Sequence, residues 1–299
     1  MTNNYLDELK KQLIKNNVKD YQGIVDYVEE MINDRIDNGE DIEDILYELG
    51  NPSQLVEKII EKEETEVVPI STDKKTEVYS YIKQLDLELK TYNVFIYPSK
   101  DENTYLEYEE SEDCKLEIDC DHDSLTICQQ NDFIGFENLF KRINKIRSEN
   151  KLCIEIYIPK DDNVELSMNN ISGNCSIGDI NFDDVEIESI SGDIRLKNIS
   201  CEALELNSVS GDMDLDEIYV KDDFEANTVS GNINALNMKS DDLDLNTVSG
   251  SIKVSVYGNK EDAYIDVSKL RGSEEHHGKK GGVRLEINTV SGKTHYEFI

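Results

Sequence analysis

In the second half of the chain one pattern of apolar and polar positions recurs around Ser172-Gly173, Ser191-Gly192, Ser210-Gly211, Ser230-Gly231, Ser249-Gly250 and Ser291-Gly292. The first four intervals are 19, 19, 20 and 19 residues, and the last is 42. Aligned on these pairs, the preceding arm carries two apolar columns. One is Leu166, Val185, Leu204, Phe224, Leu243 and Leu285; the other is Met168, Ile187, Leu206, Ala226, Leu245 and Ile287. A branched residue stands just before each serine: Ile171, Ile190, Val209, Val229, Val248 and Val290. After the glycine come Cys175, Ile194, Met213, Ile233 and Ile252, then Ile177, Leu196, Leu215, Ala235 and Val254. A last column holds Ile180, Ile199, Ile218, Met238 and Tyr257.

Within each arm apolar and polar residues alternate, the period of a half-buried strand. The phase slips at Ser-Gly, which predicts a bend there, with glycine supplying a positive φ at little cost. Each unit therefore reads as two or three short strands and tight turns, one coil of a β-solenoid whose like residues stack about 4.8 Å apart. All the columns are assigned inward, so Val209→Asp is expected to bury an unpaired charge and unfold the stack. Asn169, Asn207, Asn227, Asn246 and Asn288 share a column that Glu188 interrupts. Stacked amides form a hydrogen-bonded ladder, and a run of turn residues explains the column equally well.

The first half is patterned differently. Residues 1–62 carry helical spacing: Tyr5, Leu6, Leu9 and Leu13; Ile24, Val25, Val28, Met31, Ile32 and Ile36; Ile42, Ile45, Leu46 and Leu49; and Leu55, Val56, Ile59 and Ile60. Gly50-Asn51-Pro52 stops the third helix, and Ser53 is positioned to cap the fourth. Residues 63–76 read as a charged linker. From 77 to 160 alternation returns in Leu85-Asp86-Leu87-Glu88-Leu89, Leu116-Glu117-Ile118 and Ile154-Glu155-Ile156-Tyr157-Ile158, as degenerate coils and a cap. Residues 132–149 read as a helical insertion carrying Lys141, Arg142, Lys145 and Arg147, either a docking patch or one solvated basic face. Residues 161–299 hold the regular repeats, with a loop insertion near 260–282 that includes the glycine-rich stretch Gly272–Gly282. The fold class is thus α+β multidomain: a small N-terminal helical bundle followed by a β-solenoid with coils of about 19 residues.

Two families resemble these halves. Tyr5-Leu6-Asp7-Glu8-Leu9 and Ile42-Glu43-Asp44-Ile45-Leu46-Tyr47-Glu48-Leu49-Gly50-Asn51-Pro52 resemble the HAAS signalling domain, a helical module of Gram-positive bacteria. Ile154-Glu155-Ile156-Tyr157-Ile158-Pro159, followed by the Val-Ser-Gly-Asp-type units, resembles the adhesin-like β-solenoid family. The resemblance implies a place beside cell-envelope stress systems, including Lia-type effectors that respond to cationic antimicrobial peptides. It also implies PadR-type or stress regulators as protein partners. Helical relatives often continue into membrane segments, whereas this chain has no apolar run near the roughly 20 residues a membrane helix needs. Neither family brings catalytic residues.

The chain has 299 residues with 65 acidic against 31 basic, a formal net charge of −34. Such a charge repels nucleic-acid phosphates and anionic lipid headgroups, leaving cationic peptides, basic proteins or metal ions as partners. In the repeats the acidic residues fall into register. Glu186, Glu205, Glu225, Asp244 and Glu286 occupy one column, and Asp183, Asp184, Asp222, Asp223, Asp241 and Asp242 cluster at a neighbouring turn with Asp161 and Asp162. Like charges stacked one strand apart cost about 0.9 kcal/mol per pair in water before screening. Bound Ca²⁺ or a basic partner would relieve that cost; a solvated acidic face is the alternative. Replacing Glu186, Glu205 and Glu225 by Gln is expected to raise stability at low salt.

Other chemistry is sparse. Asp119-Cys120-Asp121-His122-Asp123 opens like a calcium loop but lacks its glycine and closing glutamate, so it reads as an acidic hairpin turn. His276 and His277 are adjacent in a loop and do not converge on a metal. The six cysteines, Cys114, Cys120, Cys128, Cys153, Cys175 and Cys201, form no Cys-x-x-Cys pair and read as buried apolar thiols. Tryptophan is absent, which removes the commonest sugar-stacking platform, and no nucleophile, phosphate-loop or zinc motif is found. The expectation is a non-enzymatic signalling or scaffold protein without a cofactor, cytoplasmic because the polar N-terminus is no signal peptide. The alternatives are an exported adhesin-like surface protein and a carbohydrate-active β-helix. The last strand, up to Ile299, is expected to leave an edge open to a second copy.

Overall fold

A computed structural model describes residues 2–16, 18, 21–37, 39–61, 73–111, 114–130, 152–269, 275–277 and 282–299. The chain divides into two compact units, a helical one within Met1–Thr72 and a β-sheet one of Asp73–Glu110, Lys115–Gln129 and Leu152–Ile299. The helical insertion expected at 132–149, with its basic cluster, lies outside the described residues.

The helical unit contains α1 (Thr2–Lys15), α2 (Tyr21–Asp37), α3 (Ile42–Leu49) and α4 (Pro52–Glu61). Apolar residues three and four apart put Leu6, Leu9 and Leu13, Ile24, Val28 and Ile32, Ile45 and Leu49, and Leu55, Val56 and Ile59 into one core. The chain is turned sharply between α3 and α4. Gly50, at φ 74°, donates its N–H to the carbonyls of Leu46 and Tyr47, and left-handed backbone favours glycine. The cap of α4 is Asn51, not Ser53: its Oδ1 accepts the Ser53 N–H at 2.9 Å, and Pro52 opens the helix, where its missing N–H costs nothing.

The β unit is built of two mixed sheets. Sheet B contains β2 (Gln84–Leu89), β5 (Leu116–Asp121), β6 (Ser124–Gln129), β8 (Val164–Asn170), β10 (Phe182–Ser189), β12 (Ala203–Ser208), β14 (Asp223–Thr228), β16 (Asp242–Thr247), β18 (Tyr264–Lys269), β19 (Glu275–His277) and β20 (Arg284–Thr289). Its spatial order is β19-β18-β20-β16-β14-β12-β10-β8-β2-β6-β5. Sheet A contains β1 (Asp73–Tyr79), β3 (Asn93–Pro98), β4 (Thr104–Glu110), β7 (Cys153–Ile158), β9 (Cys175–Gly178), β11 (Ile194–Cys201), β13 (Met213–Val220), β15 (Ile233–Met238), β17 (Ile252–Val256) and β21 (Thr294–Phe298). Its order is β1-β4-β7-β3-β9-β11-β13-β15-β17-β21.

Each Ser-Gly unit gives one strand to each sheet, and like positions pair in parallel: Leu204 with Phe224, then Leu243, then Leu285. The four columns Leu166–Leu285, Met168–Ile287, Cys175–Ile252 and Ile177–Val254 are buried, as alternation requires. At the ends, spatial order departs from chain order. β6 and β7 come later in the chain than β2 and β3 yet lie outside them, and β20 sits between β16 and β18. The N-terminal end closes with antiparallel β1, β4 and β5. There the buried Glu110 accepts the Leu116 N–H at 3.0 Å and pairs with Lys75 at 2.6 Å. Burial raises its pKa, but these partners outweigh burial and hold the carboxyl below its usual value.

Several sequence assignments are corrected. The linker assigned to 63–76 overlaps β1, because Asp73–Tyr79 pairs antiparallel with β4. The loop insertion assigned to 260–282 contains β18, parallel to β20, and β19, antiparallel to β18. Cys114, Cys175 and Cys201 are buried, but Cys120 is exposed because β5 is an edge strand with mostly solvent-facing residues. Tyr257 is 51 % exposed and leaves its inward column at Met238.

The Ser-Gly corner works by close approach rather than by a positive φ. None of its six glycines has positive φ. A Cβ on Gly192, Gly211, Gly231, Gly250 or Gly292 would lie 1.6 to 1.9 Å from the carbonyl oxygen of the glycine one layer back. Each corner serine donates to a carbonyl of the preceding layer, as Ser191 does to Ile171 at 3.2 Å and Ser210 to Ile190 at 3.1 Å. Left-handed backbone appears at the other bend, at Asp179, Asn198, Glu217 and Asn237.

Candidate functional site

The face of sheet B that points away from the core carries three columns side by side. In β12 they are Glu205, Asn207 and the residue just past the strand, Val209, because Leu204, Leu206 and Ser208 point inward.

The first column is acidic. Glu186 pairs with Glu205, Glu205 with Glu225, Glu225 with Asp244, and Asp244 with Glu286. Two members were not picked out from the sequence: Asp266, beside Glu286, and Asp86, beside Ser167. The alternations Leu85-Asp86-Leu87 and Ile265-Asp266-Val267 carried that signal. Burial between these neighbours pushes the Asp244 carboxyl up, helped by the charges of Glu286 and Glu225 and opposed by its hydrogen bond from Asn246. Arg284 relieves the end of the column, bonding Asp242 at 2.6 Å and Glu286 at 2.8 Å. The turn aspartates divide. Asp223 and Asp242 pair with one another beside the column, whereas Asp184 meets Ala203. Asp183 sits at a register shift of β10, and Asp222 and Asp241 lie between strands. Among the described residues no three His, Cys, Asp or Glu side chains are grouped to hold a metal ion. Asp121 ends β5 and pairs with Ser124, and His122 and Asp123 form the tight β5–β6 turn, with His122 at φ 58°.

The second column is an amide ladder. Asn227 Nδ2 donates to Asn207 Oδ1 at 3.0 Å, Asn246 to Asn227 at 2.9 Å, and Asn288 to Asn246 at 2.8 Å. The same amides donate sideways, Asn227 to Glu225 at 2.8 Å and Asn246 to Asp244 at 2.9 Å. Both amide protons are thereby used, and the carboxylate column gains donors along its length. Asn169 is cut off from this ladder by Glu188.

The third column corrects the sequence assignment. Val209, Val229, Val248 and Val290 are 45, 48, 46 and 38 % exposed, and Ile171 and Ile190 are half-buried. The inward place belongs to the residue before them: Asn170, Ser189, Ser208, Thr228, Thr247 and Thr289 are buried. Their side-chain oxygens accept the N–H of the corner glycine three residues on, at 3.0 Å for Ser208 and Gly211. A backbone donor buried at this corner demands an acceptor, so the hydroxyl takes the core position and displaces the valine to the surface. Between the amide ladder and the valine ridge runs an open groove of about 450 Å³, reaching from Asn207 to Ser268 and Lys269.

Parallel strands stacked layer on layer, with side chains laddered in register, define a repeat protein that presents extended surfaces. The chain belongs to the Toastrack DUF4097 family, whose model matches residues 82–297. Residues 4–58 match the HAAS model, so the N-terminus carries a HAAS domain. No curated protein matches the chain. Solved structures that resemble it include a candidate adhesin from Bacteroides fragilis, 14 % identical over 77 % of this chain and 98 % of that one, with a TM-score of 0.44. A candidate adhesin from Parabacteroides merdae is 12 % identical, over 77 % and 96 %, with a TM-score of 0.38. A candidate cell adhesion protein from Clostridium sporogenes is 13 % identical, over 77 % and 100 %, with a TM-score of 0.26. Among the described residues no helix is long and apolar enough to cross a membrane.

Proposed function

We propose that this chain is a non-enzymatic signalling and scaffold protein of a bacterial cell-envelope stress response. The HAAS domain docks a protein partner, a stress or PadR-type regulator. The β unit, read as a β-solenoid with coils of about 19 residues, offers the acidic face of sheet B to a cationic partner and works without a cofactor. The observation that carries this reading is the in-register column from Glu186 to Glu286, which lines up like charge on one face of the sheet. A stacked array of like charges selects partners by sign and steers their approach.

The test is a pull-down from the native cell with the intact chain and with residues 1–62 removed, combined with cell fractionation. Regulators captured only by the intact chain from the cytoplasmic fraction support the proposal. Recovery at the cell surface, with wall components held equally by both forms, replaces it with the exported adhesin-like reading.

A further inference from the structure

The groove beside the amide ladder is chemically unlike the rest of this molecule. In a chain with a net charge of −34, no carboxylate among the described residues lines it; its walls are amides, hydroxyls and valine methyls, and Lys269 at the β18 end is the one charged lining residue among those described. The polar groups along its middle already have partners. Asn227 and Asn246 spend both amide protons on the ladder and on the acidic column. Thr228 and Thr247 accept the N–H groups of Gly231 and Gly250. Covering the middle of the groove with hydrocarbon therefore strands none of the amide protons of Asn227 and Asn246, which limits the usual penalty for burying a polar surface. A peptide laid along the same groove would fare worse, because its own N–H and C=O groups would find the ladder already satisfied.

The groove crosses β12, β14, β16, β20 and β18 in spatial order. Four strand spacings of about 4.8 Å give roughly 19 Å, the extended length of an acyl chain of about 14 to 16 carbons. A volume of about 450 Å³ suits one such chain and not two. We infer that this groove is a binding site for a single unbranched fatty acid, its chain lying along the stack between the valine ridge and the amide ladder and its carboxylate at Lys269. A phospholipid, with two chains and a bulky headgroup, matches neither the volume nor the single cation. The inference is independent of the signalling role, which uses the neighbouring column.

The experiment titrates the full chain with a fluorescent long-chain fatty acid and displaces the probe with myristate. Expected are saturation at one probe per chain and displacement by monomeric myristate but not by phosphatidylcholine vesicles. Val229→Asp with Val248→Asp should weaken binding at least tenfold. Because both valines are about half exposed, the melting curve should stay cooperative, and the shape-conserving pair Val229→Thr with Val248→Thr should give a smaller loss of the same sign. Lys269→Glu should weaken myristate severalfold and leave neutral monomyristoylglycerol unchanged. Ile171→Asp, in the same column beyond the groove, should bind like the parent. Failure to bind the probe, equal binding by the double aspartate variant, or stronger competition by vesicles than by myristate would each overturn the assignment.

Discussion

Glycine and valine exchange their expected roles at the Ser-Gly corner. Gly211 has its would-be Cβ 1.9 Å from the Gly192 carbonyl oxygen and 2.7 Å from its carbon, and that backbone cannot swing aside as a side chain could. Gly211→Ala is expected to cost about 2 kcal/mol or more through forced backbone displacement. Val209→Asp, at a surface position, should stay within about 0.5 kcal/mol of the parent. Urea melts of both variants check the pair, and the reverse ranking would return valine to the core. At the opposite bend Glu217 holds φ 58° without the freedom of glycine. Glu217→Gly should gain roughly 0.5 to 1 kcal/mol by removing a Cβ from left-handed backbone; no gain in the same melt would mean that the bend carries no strain.

At the scale of the strand, the acidic column makes stability depend on pH in a direction that can be derived. Asp244 titrates above its ordinary value in the folded chain. The folded state therefore holds that proton more tightly than the unfolded state does. Its stabilising contribution is fully present below the unfolded pKa and is lost as pH rises through the folded one. Asp244→Asn should raise stability at neutral pH, most at low salt, and shrink the difference from the parent as the medium is acidified. Denaturation at two pH values and two salt concentrations measures this, and a gain that is flat with pH would place the carboxyl in open solvent. Glu110 acts with the opposite sign, since its depressed pKa removes stability as pH falls through the folded value.

The strands and their inward faces were legible because alternation is a local signal: Leu204 and Leu206 bracket Glu205 and could point only one way. The outward turn of Val209 was not, because it follows from where Gly211 finds a hydrogen-bond acceptor, and that is decided by two residues and a bend together. The acidic column was legible for the same reason as the core. The groove was not, since it exists only where the amide ladder and the displaced valines stand side by side. At the ends the strands were legible but their spatial order was not, for alternation says nothing about which strand lies beside which.

For the whole β unit, the spatial order of the strands bears on the order in which the molecule is made. A stack whose layers follow the chain can be assembled by adding each new layer to the finished one below. Here β2 lies between β6 and β8, and β20 lies between β16 and β18. At both ends, then, a ribosome delivers a strand before or after the neighbours that flank it, and a later segment has to slip past or into an earlier one. The first layers cannot close until β8 has emerged, and the last gap is filled only when β20 arrives. Synthesis thus leaves two unfinished seams, and the nascent chain exposes strand edges there that the completed molecule does not. Long-range pairings of this kind are slow to form, so these two seams, rather than the regular layers between them, are expected to set the pace of folding.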